Sequence, residues 1–322
     1  MKKKKTRIVV IGGGTGLSTI LRGLKQHPFD ITAIVTVADD GGSSGRLRDD
    51  YDIPPPGDVR NVIAALSDVE PLVEQMFQYR FSQSNDLGGH SLGNLMLTAL
   101  TEITGDFNHA IAEMSKVLNV HGKVVPAANK KVTLHAELND GTKIVGESKI
   151  PSGHAPIKRV YLEPGNVKPL PAAIHAIERA QYILIGPGSL YTSIIPNLLV
   201  KGIGEAVVRA KGEKIYISNL MTQLGETIHY TASQHIEAIH AHVGRPFIEA
   251  LLINEKKLHP SIYENYREEN AEPVQFDVDK LEAMGIKVIQ KEIAIIQDGV
   301  VRHDAKNLAD WLCEYAGQNK NQ

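Results

Sequence analysis

Cysteine is almost absent. Cys313 is the only one in 322 residues, which excludes an intramolecular disulfide and any cysteine cage for a metal. Charge of one sign is scarce too. The 35 Lys and Arg and 37 Asp and Glu leave a formal net charge of -2, so no global field draws the chain to nucleic acid or acidic membranes. No apolar run approaches the ~20 residues that span a bilayer, so an integral membrane protein is not expected. The Lys2-Lys3-Lys4-Lys5 run lacks the apolar stretch of a secretory signal, and the expected location is cytoplasmic. Several chemical signatures are also missing. No glycine loop continues into Gly-Lys-Ser/Thr, which excludes a Walker A loop, and His-Glu-x-x-His does not occur. His229, His235, His240 and His242 form no i,i+4 pair on one helix face, which argues against zinc. The segments Glu255-Lys256-Lys257 and Arg267-Glu268-Glu269 read as solvated surface.

What is present is glycine, placed where strands should end. Gly12-Gly13-Gly14-Thr15-Gly16 follows Ile8 to Ile11, Asp39-Asp40-Gly41-Gly42-Ser43 follows Ile31 to Ala38, and Gly186-Pro187-Gly188-Ser189 follows Tyr182 to Ile185. Glycine lets backbone N–H groups approach a ligand, and a helix beginning beyond the loop adds partial positive charge. Three such loops, rich in hydroxyls and short of lysine, point to a site for a phosphorylated ligand.

The remaining pattern alternates strand and helix. Strands are expected at 7–11, 31–38, 182–185, 214–218, 248–253 and 286–289, with a last short one at 292–296. Helices are expected at 17–26, 58–67, 71–80, 92–104, 108–118, 172–179, 190–199, 232–242 and 305–315, with Asp58 as an N-cap. Between 121 and 170 the texture changes to a hairpin, 132–138 and 143–150 around Asn139-Asp140-Gly141, with a further edge at 160–162. The expected architecture is one α/β domain over 1–322, a Rossmann-like, doubly wound and mostly parallel sheet with a small antiparallel β insertion. If the strands at 7–11 and 182–185 are neighbours, Gly12–Gly16 and Gly186–Ser189 flank one crevice at the switch point.

The glycine loop after the first strand is not a full dinucleotide fingerprint, because Leu17 or Thr19 stands at the third glycine position. Asp39 and Asp40 have three readings: Mg²⁺ ligands, partners of ribose hydroxyls, or caps of the following turn. Adjacent strand side chains diverge, so one of the two is expected to face the site. Arg46, Arg48 and Arg60 are the nearest fixed cations, able to replace the missing lysine or to sit on a solvated helix face. His90 and Asn94 open a helix with a possible donor and an amide. Tyr191 and Thr192 bring hydroxyls into a first helical turn suited to an anion. Asn219, Thr222 and Gln223 carry groups that could read a base or sugar.

Taken together these motifs resemble the CofD-like family and, within it, the bacterial gluconeogenesis factors. The resemblance rests on 12–16, 37–48, Pro55-Pro56-Gly57-Asp58-Val59-Arg60-Asn61, 90–95, 186–193 and 219–223, and runs from about residue 7 to 316. It implies a Rossmann-like fold, a role in cell shape and in growth on gluconeogenic carbon sources, and binding of UDP-sugars such as UDP-N-acetylglucosamine, with Arg60 and Asn61 among the ligand residues. The family's namesake is a Mg²⁺-dependent 2-phospho-L-lactate transferase with a deazaflavin acceptor. After the Asp-Asp loop its pattern is Pro-Asp-x-Asp-Thr, whereas this chain loses one carboxylate and gains Arg60. The reading is therefore a non-catalytic UDP-sugar-binding regulator, with no cofactor required beyond Mg²⁺ held by Asp39 or Asp40. The alternative is a Mg²⁺-dependent phosphotransferase using Asp39, Asp40 and Asp58. A homo-oligomer is open to it, and no residue pattern names a regulatory protein partner.

Overall fold

The computed structural model describes residues 5–82, 86–256, 259, 262, 264, 266 and 270–318. Lys2 to Lys4, Lys257 and Arg267-Glu268-Glu269 lie outside them. Seven parallel strands form the central sheet in the order β10-β9-β8-β7-β1-β2-β3. They are β1 (Thr6–Gly12), β2 (Phe29–Val35), β3 (Lys123–Pro126), β7 (Tyr182–Ile185), β8 (Glu213–Ile217), β9 (Ala250–Asn254) and β10 (Lys287–Lys291). From β1 the chain winds outward to β2 and β3, then returns to β7 on the other side of β1 and winds outward again. The fold is a doubly wound, Rossmann-like α/β fold, and its switch point lies between β1 and β7.

Both faces of the sheet are covered, so its strands read as continuous β-branched runs. Ile8 and Val10 point to one side, into a core built with α1 (Gly14–Leu24), α3 (Gly57–Leu66) and the C-terminal helix Ala305–Gln318. Val9 and Ile11 point to the other, toward α7 (Pro171–Arg179), α9 (Ile203–Arg209) and α10 (Ala232–Val243). Helix α1 buries Leu17, Ile20, Leu21 and Leu24, a stripe at the helical repeat. The layer beside α3 is completed by α2 (Gly42–Tyr51), α4 (Pro71–Gln78), α5 (Leu92–Thr104) and α6 (Phe107–Val117). Among the described residues no helix is long and apolar enough to cross a membrane.

The antiparallel insertion is present as a three-stranded sheet, β5-β4-β6, of β4 (Thr133–Leu138), β5 (Lys143–Val145) and β6 (Ile157–Glu163). A 3-10 helix, Glu147–Ser152, follows β5. Lys123–Pro126, expected inside this insertion, is instead an edge strand of the main sheet beside β2. Three other expectations need correction. Helix α3 starts at Gly57 with Pro56 at its N-cap, so Asp58 is a first-turn residue and not the cap. The segment 190–199 is a π-helical turn, Leu190–Ile194, followed by α8 (Ile195–Leu199). The last short strand is the first half of an antiparallel pair, β11 (Ala294–Gln297) with β12 (Val300–His303).

Candidate functional site

Ile11 pairs with Ile185, so β1 and β7 end side by side and their glycine loops share one crevice. Gly14 takes φ +65° and Gly186 +82°, conformations that favour glycine, while Gly188 does not need one. The loops press on each other: a Cβ on Gly16 would stand 2.9 Å from the Pro187 carbonyl oxygen. A Cβ on Gly13 would meet Thr36 Cγ2 at 2.5 Å and an Asp58 carboxylate oxygen at 2.6 Å. The Gly12 carbonyl is fixed from behind by the Thr36 N–H at 3.1 Å and by Asn197 Nδ2 at 3.0 Å. Helix α1 has no side-chain cap. Gly14 donates its N–H to the Asp58 carboxylate, and the turn borders a cleft of about 460 Å³ lined by Gly13 to Gly16 on one side and Pro187 to Ser189 and Ser193 on the other.

The π-helical turn treats its donors differently. Tyr191 donates its N–H to Glu226 Oε2 at 2.9 Å, and Thr192 donates its hydroxyl to Oε1 at 2.7 Å. Gln223 Nε2 reaches the same Oε1 at 3.3 Å. Burial pushes the Glu226 carboxyl above its ordinary range. Tyr191 and Thr192, expected on an external anion, thus hold a carboxylate of the protein itself, and neither lines the cleft. Asn219 is a brace as well as a wall: its Nδ2 donates to the Gly188 carbonyl at 2.9 Å and its Oδ1 accepts from Tyr216. Thr222 exchanges bonds with the Glu272 backbone, its Oγ1 accepting at 2.9 Å.

The two aspartates lie in the loop beyond β2, which ends at Val35, and they take separate partners. Asp40 Oδ1 accepts the Ser148 N–H at 2.9 Å and so pins the 3-10 helix of the insertion to the second glycine loop. Asp39 turns back on Gly41, accepting its N–H at 2.9 Å. The pinned helix delivers Glu147 into the cleft. Burial, then the charges of Asp39, Asp58 and Asp40, push the Glu147 carboxyl up to about 8. Burial and the neighbouring Asp39 push Asp58 to about 6, against the pull of the Gly14 N–H. Acidic charge therefore gathers at this side, although of these carboxyls only Glu147 lines the cleft. Its hard oxygen donors suit Mg²⁺, yet among the described residues no three acidic or histidine side chains converge into a cage. Mg²⁺ is commonly held by one or two carboxylates plus the phosphates of its ligand, and Asp39 and Asp58 fit that arrangement.

The remaining expected residues form a second, buried cluster. Asn94 Nδ2 donates to Ser43 Oγ at 3.0 Å, which leaves the Ser43 proton for His90 Nδ1, also at 3.0 Å. This ties the second glycine loop, where Gly42 has φ +46°, to the start of α5. Burial and the nearby Arg46 lower the His90 pKa. Arg60 is buried beside this cluster with its guanidinium on Gln78 Oε1. Burial, then the nearby Arg80, lower its pKa to about 10. Asn61 is half-buried, and neither residue lines the cleft. Glu147, Ser193, Val300, Val301 and His303 line it without having been singled out from the sequence. His303 is held by the Ser218 carbonyl at 3.0 Å, and burial lowers its pKa to about 4.

A doubly wound sheet with a glycine-lined cleft at its switch point defines the class. The family model described as 2-phospho-L-lactate transferase CofD matches residues 8–294, and the chain belongs to that family. It is 58% identical over 311 residues to a Bacillus subtilis (strain 168) protein named gluconeogenesis factor, covering 97% of this chain and 98% of that one. A protein of the same name from Halalkalibacterium halodurans is 55% identical over 311 residues, covering 97% of each. A crystal structure of a Bacillus halodurans protein superposes with a TM-score of 0.94 at 55% identity, covering 96% of this chain and 99% of that one.

Proposed function

We propose that this chain is a cytoplasmic, nucleotide-sugar-binding regulator that serves gluconeogenic growth and cell shape and does not turn its ligand over. One observation carries the reading. Two glycine loops from adjacent strands face each other across one cleft, with Asn219, Thr222 and Gln223 at its far wall. In this arrangement the backbone N–H groups of Gly13, Thr15, Gly16 and 188–189 hold a diphosphate, and the 219–223 loop meets base or sugar. UDP-N-acetylglucosamine is the ligand of choice, with Mg²⁺ on Asp39 and Asp58 when it accompanies the diphosphate. The name gluconeogenesis factor carried by close relatives supports the cellular role.

The absence of turnover follows from the neighbourhood. Phosphoryl transfer needs a positioned acceptor or base beside the clamped phosphates. His90, the nearest imidazole to the second loop, is buried and engaged with Ser43. The carboxyls of Asp39, Asp58 and Glu147 favour a second reading, a Mg²⁺-dependent phosphotransferase, because they supply oxygen donors at the same place. Thermal shifts separate the ligands: at a hundred times its dissociation constant a ligand adds about 2.7 kcal/mol. UDP-N-acetylglucosamine is expected to stabilise and NAD or NADP not; a larger shift with NAD overturns the assignment. Phosphorus NMR after prolonged incubation with Mg²⁺ separates the two readings. UMP or UDP above a protein-free control, lost in Asp39→Asn, favours the transferase.

A further inference from the structure

A second cavity, of about 320 Å³, lies between α7 and the strands β1, β2 and β3. It sits at the far end of β1 from the glycine loops, with Arg7 and Gly13 separated by roughly 20 Å of strand. Its floor follows from strand pairing. Arg7 pairs with Asp30, Val9 with Thr32, and Thr32 with Lys123, so these side chains share the face that α7 covers. Its roof is one stripe of α7, with Ala172, His175, Ala176 and Arg179 at i, i+3, i+4 and i+7. The two alanines leave the space between helix and sheet open.

Arg7, Lys123 and Arg179 face this space together with His175, against one carboxylate, Asp30. Among the described residues none of the three cations forms an ion pair. Arg7 is half-buried, and its Nε donates to the Arg179 carbonyl at 2.6 Å. That bond closes the end of α7 and leaves the two terminal nitrogens of the guanidinium without a partner among the described residues. Arg179 Nη1 donates to His175 Nε2 at 3.1 Å, which places the ring proton on Nδ1 as a further donor. Beneath them the Thr32 hydroxyl, on a side chain only 8% exposed, makes no hydrogen bond among the described residues.

We infer that this cavity binds a small phosphate monoester, at a site separate from the cleft. A phosphate dianion supplies what the cavity lacks, a compact double negative charge with several acceptor oxygens. Two guanidiniums and an ammonium can close on it with charge-assisted hydrogen bonds. The volume lies at the lower end of the roughly 300–1,000 Å³ of small-molecule sites, which suits a phosphoryl group on a short carbon chain and not a nucleotide sugar. The Thr32 hydroxyl is then a partner for the chain, and Asp30 is the one opposing charge. The inference does not depend on the ligand proposed for the cleft.

Titration calorimetry with glycerol 3-phosphate tests it, with glycerol as the neutral control. The wild-type chain is expected to bind the ester and not glycerol. The double variant Lys123→Glu, Arg179→Glu is expected to bind about tenfold more weakly or not at all, with an unchanged circular dichroism spectrum. Asp30→Asn, which removes the opposing charge, is expected to bind about threefold more tightly. A proton NMR titration locates the ligand: the imidazole resonance that His175→Gln removes should move as the ester is added. If the double variant loses its fold, that resonance and Asp30→Asn decide. A wild type that binds no ester overturns the site, as do binding that survives the double variant and a His175 resonance that stays in place. Inorganic phosphate that binds as tightly as the ester overturns the assignment to a monoester.

Discussion

After β1 the chain passes through Gly13 and Gly14 into a helix with no side-chain cap; after β7 it passes through Gly186 and Gly188 into a turn whose donors are held by Glu226. Both follow the end of a strand; 12–19 holds four glycines and three hydroxyl residues, and 186–193 two glycines and four hydroxyl residues. The difference lies in how much of the donor set the fold itself occupies. The loop after β7 gives the Tyr191 N–H and the Thr192 hydroxyl to a carboxylate within the fold, on a side chain 35 residues from Tyr191 along the chain. The loop after β1 meets the Asp58 carboxylate through the Gly14 N–H alone, and no side chain caps its helix. Donor-rich composition thus identifies a place that wants negative charge, and the packing decides whether the protein supplies it.

The largest test of this contrast is Glu226→Ala. It leaves the Tyr191 N–H and the Thr192 hydroxyl buried without their acceptor, at a cost of about 3 kcal/mol, or a fall in melting temperature of roughly 6 °C or more. Glu226→Gln keeps an oxygen and should lose less than half as much. A calorimetric melt of Glu226→Ala unchanged from wild type removes the built-in anion from the account.

The pH profile reports on the cleft walls in opposite senses. His303 has a folded pKa lowered to about 4, so its stabilisation is present above its ordinary value of 6.5 and is lost as pH falls through about 4. That loss is on the order of 3 kcal/mol. Glu147 has a folded pKa raised to about 8, so the fold is favoured below its ordinary 4.5 and loses that advantage as pH rises through about 8. Thermal melts should therefore weaken on both sides of a middle range. His303→Gln should flatten the acid limb, and Glu147→Gln should gain a few degrees over wild type at pH 9 but little at pH 5. An alkaline limb that Glu147→Gln leaves in place shows that this carboxyl is not under strain.

Gly13→Val drives a side chain into Thr36 and Asp58, which should cost about 2 kcal/mol and abolish the thermal shift with UDP-N-acetylglucosamine. The smallest effect belongs to Thr15→Val. Thr15 is exposed at the mouth of the open loop, so the fold should be untouched while titration calorimetry reads a roughly tenfold weaker affinity, about 1.4 kcal/mol. Unchanged affinity in both variants would move the ligand away from the loop after β1.

Much of the frame was legible because its strands obey a rule that ignores distant residues. Runs such as Ile8 to Ile11 and Tyr182 to Ile185 are buried on both faces, so hydrophobicity and β-branching mark them directly. Helix α2 was invisible because its first turn, Gly42-Ser43-Ser44-Gly45, is made of residues that favour turns. It is stabilised from outside, by Ser43 bonding to α5 and by Gly45 seated on the Asp40 carbonyl. Strand β3 was misplaced because it is short and ends in Pro126, the mark of an edge. In the site, the glycines were legible through their own backbone needs. The partners of their neighbours were not: Glu226 for Thr192, Ser148 for Asp40 and Gln78 for Arg60 are contacts between segments far apart in sequence. Glu147 carried no local signal, since nothing in the insertion marks one glutamate as the residue that will reach the cleft.

The insertion leaves the main frame after Ala128 and rejoins it at Pro169, two residues that bridge each other. Its entry and exit are therefore neighbours, yet the sheet β5-β4-β6 is seated on the frame: Leu134, Ala136 and Leu162 share the core of Val9 and Ile11, and Val160 donates its N–H to His242 Nε2. The Asp40–Ser148 bond and the reach of Glu147 join its far end to the cleft. A graft of this module between relatives must carry its apolar underside with it, whereas the exposed edge β5 is open to change without retuning the seven-stranded sheet.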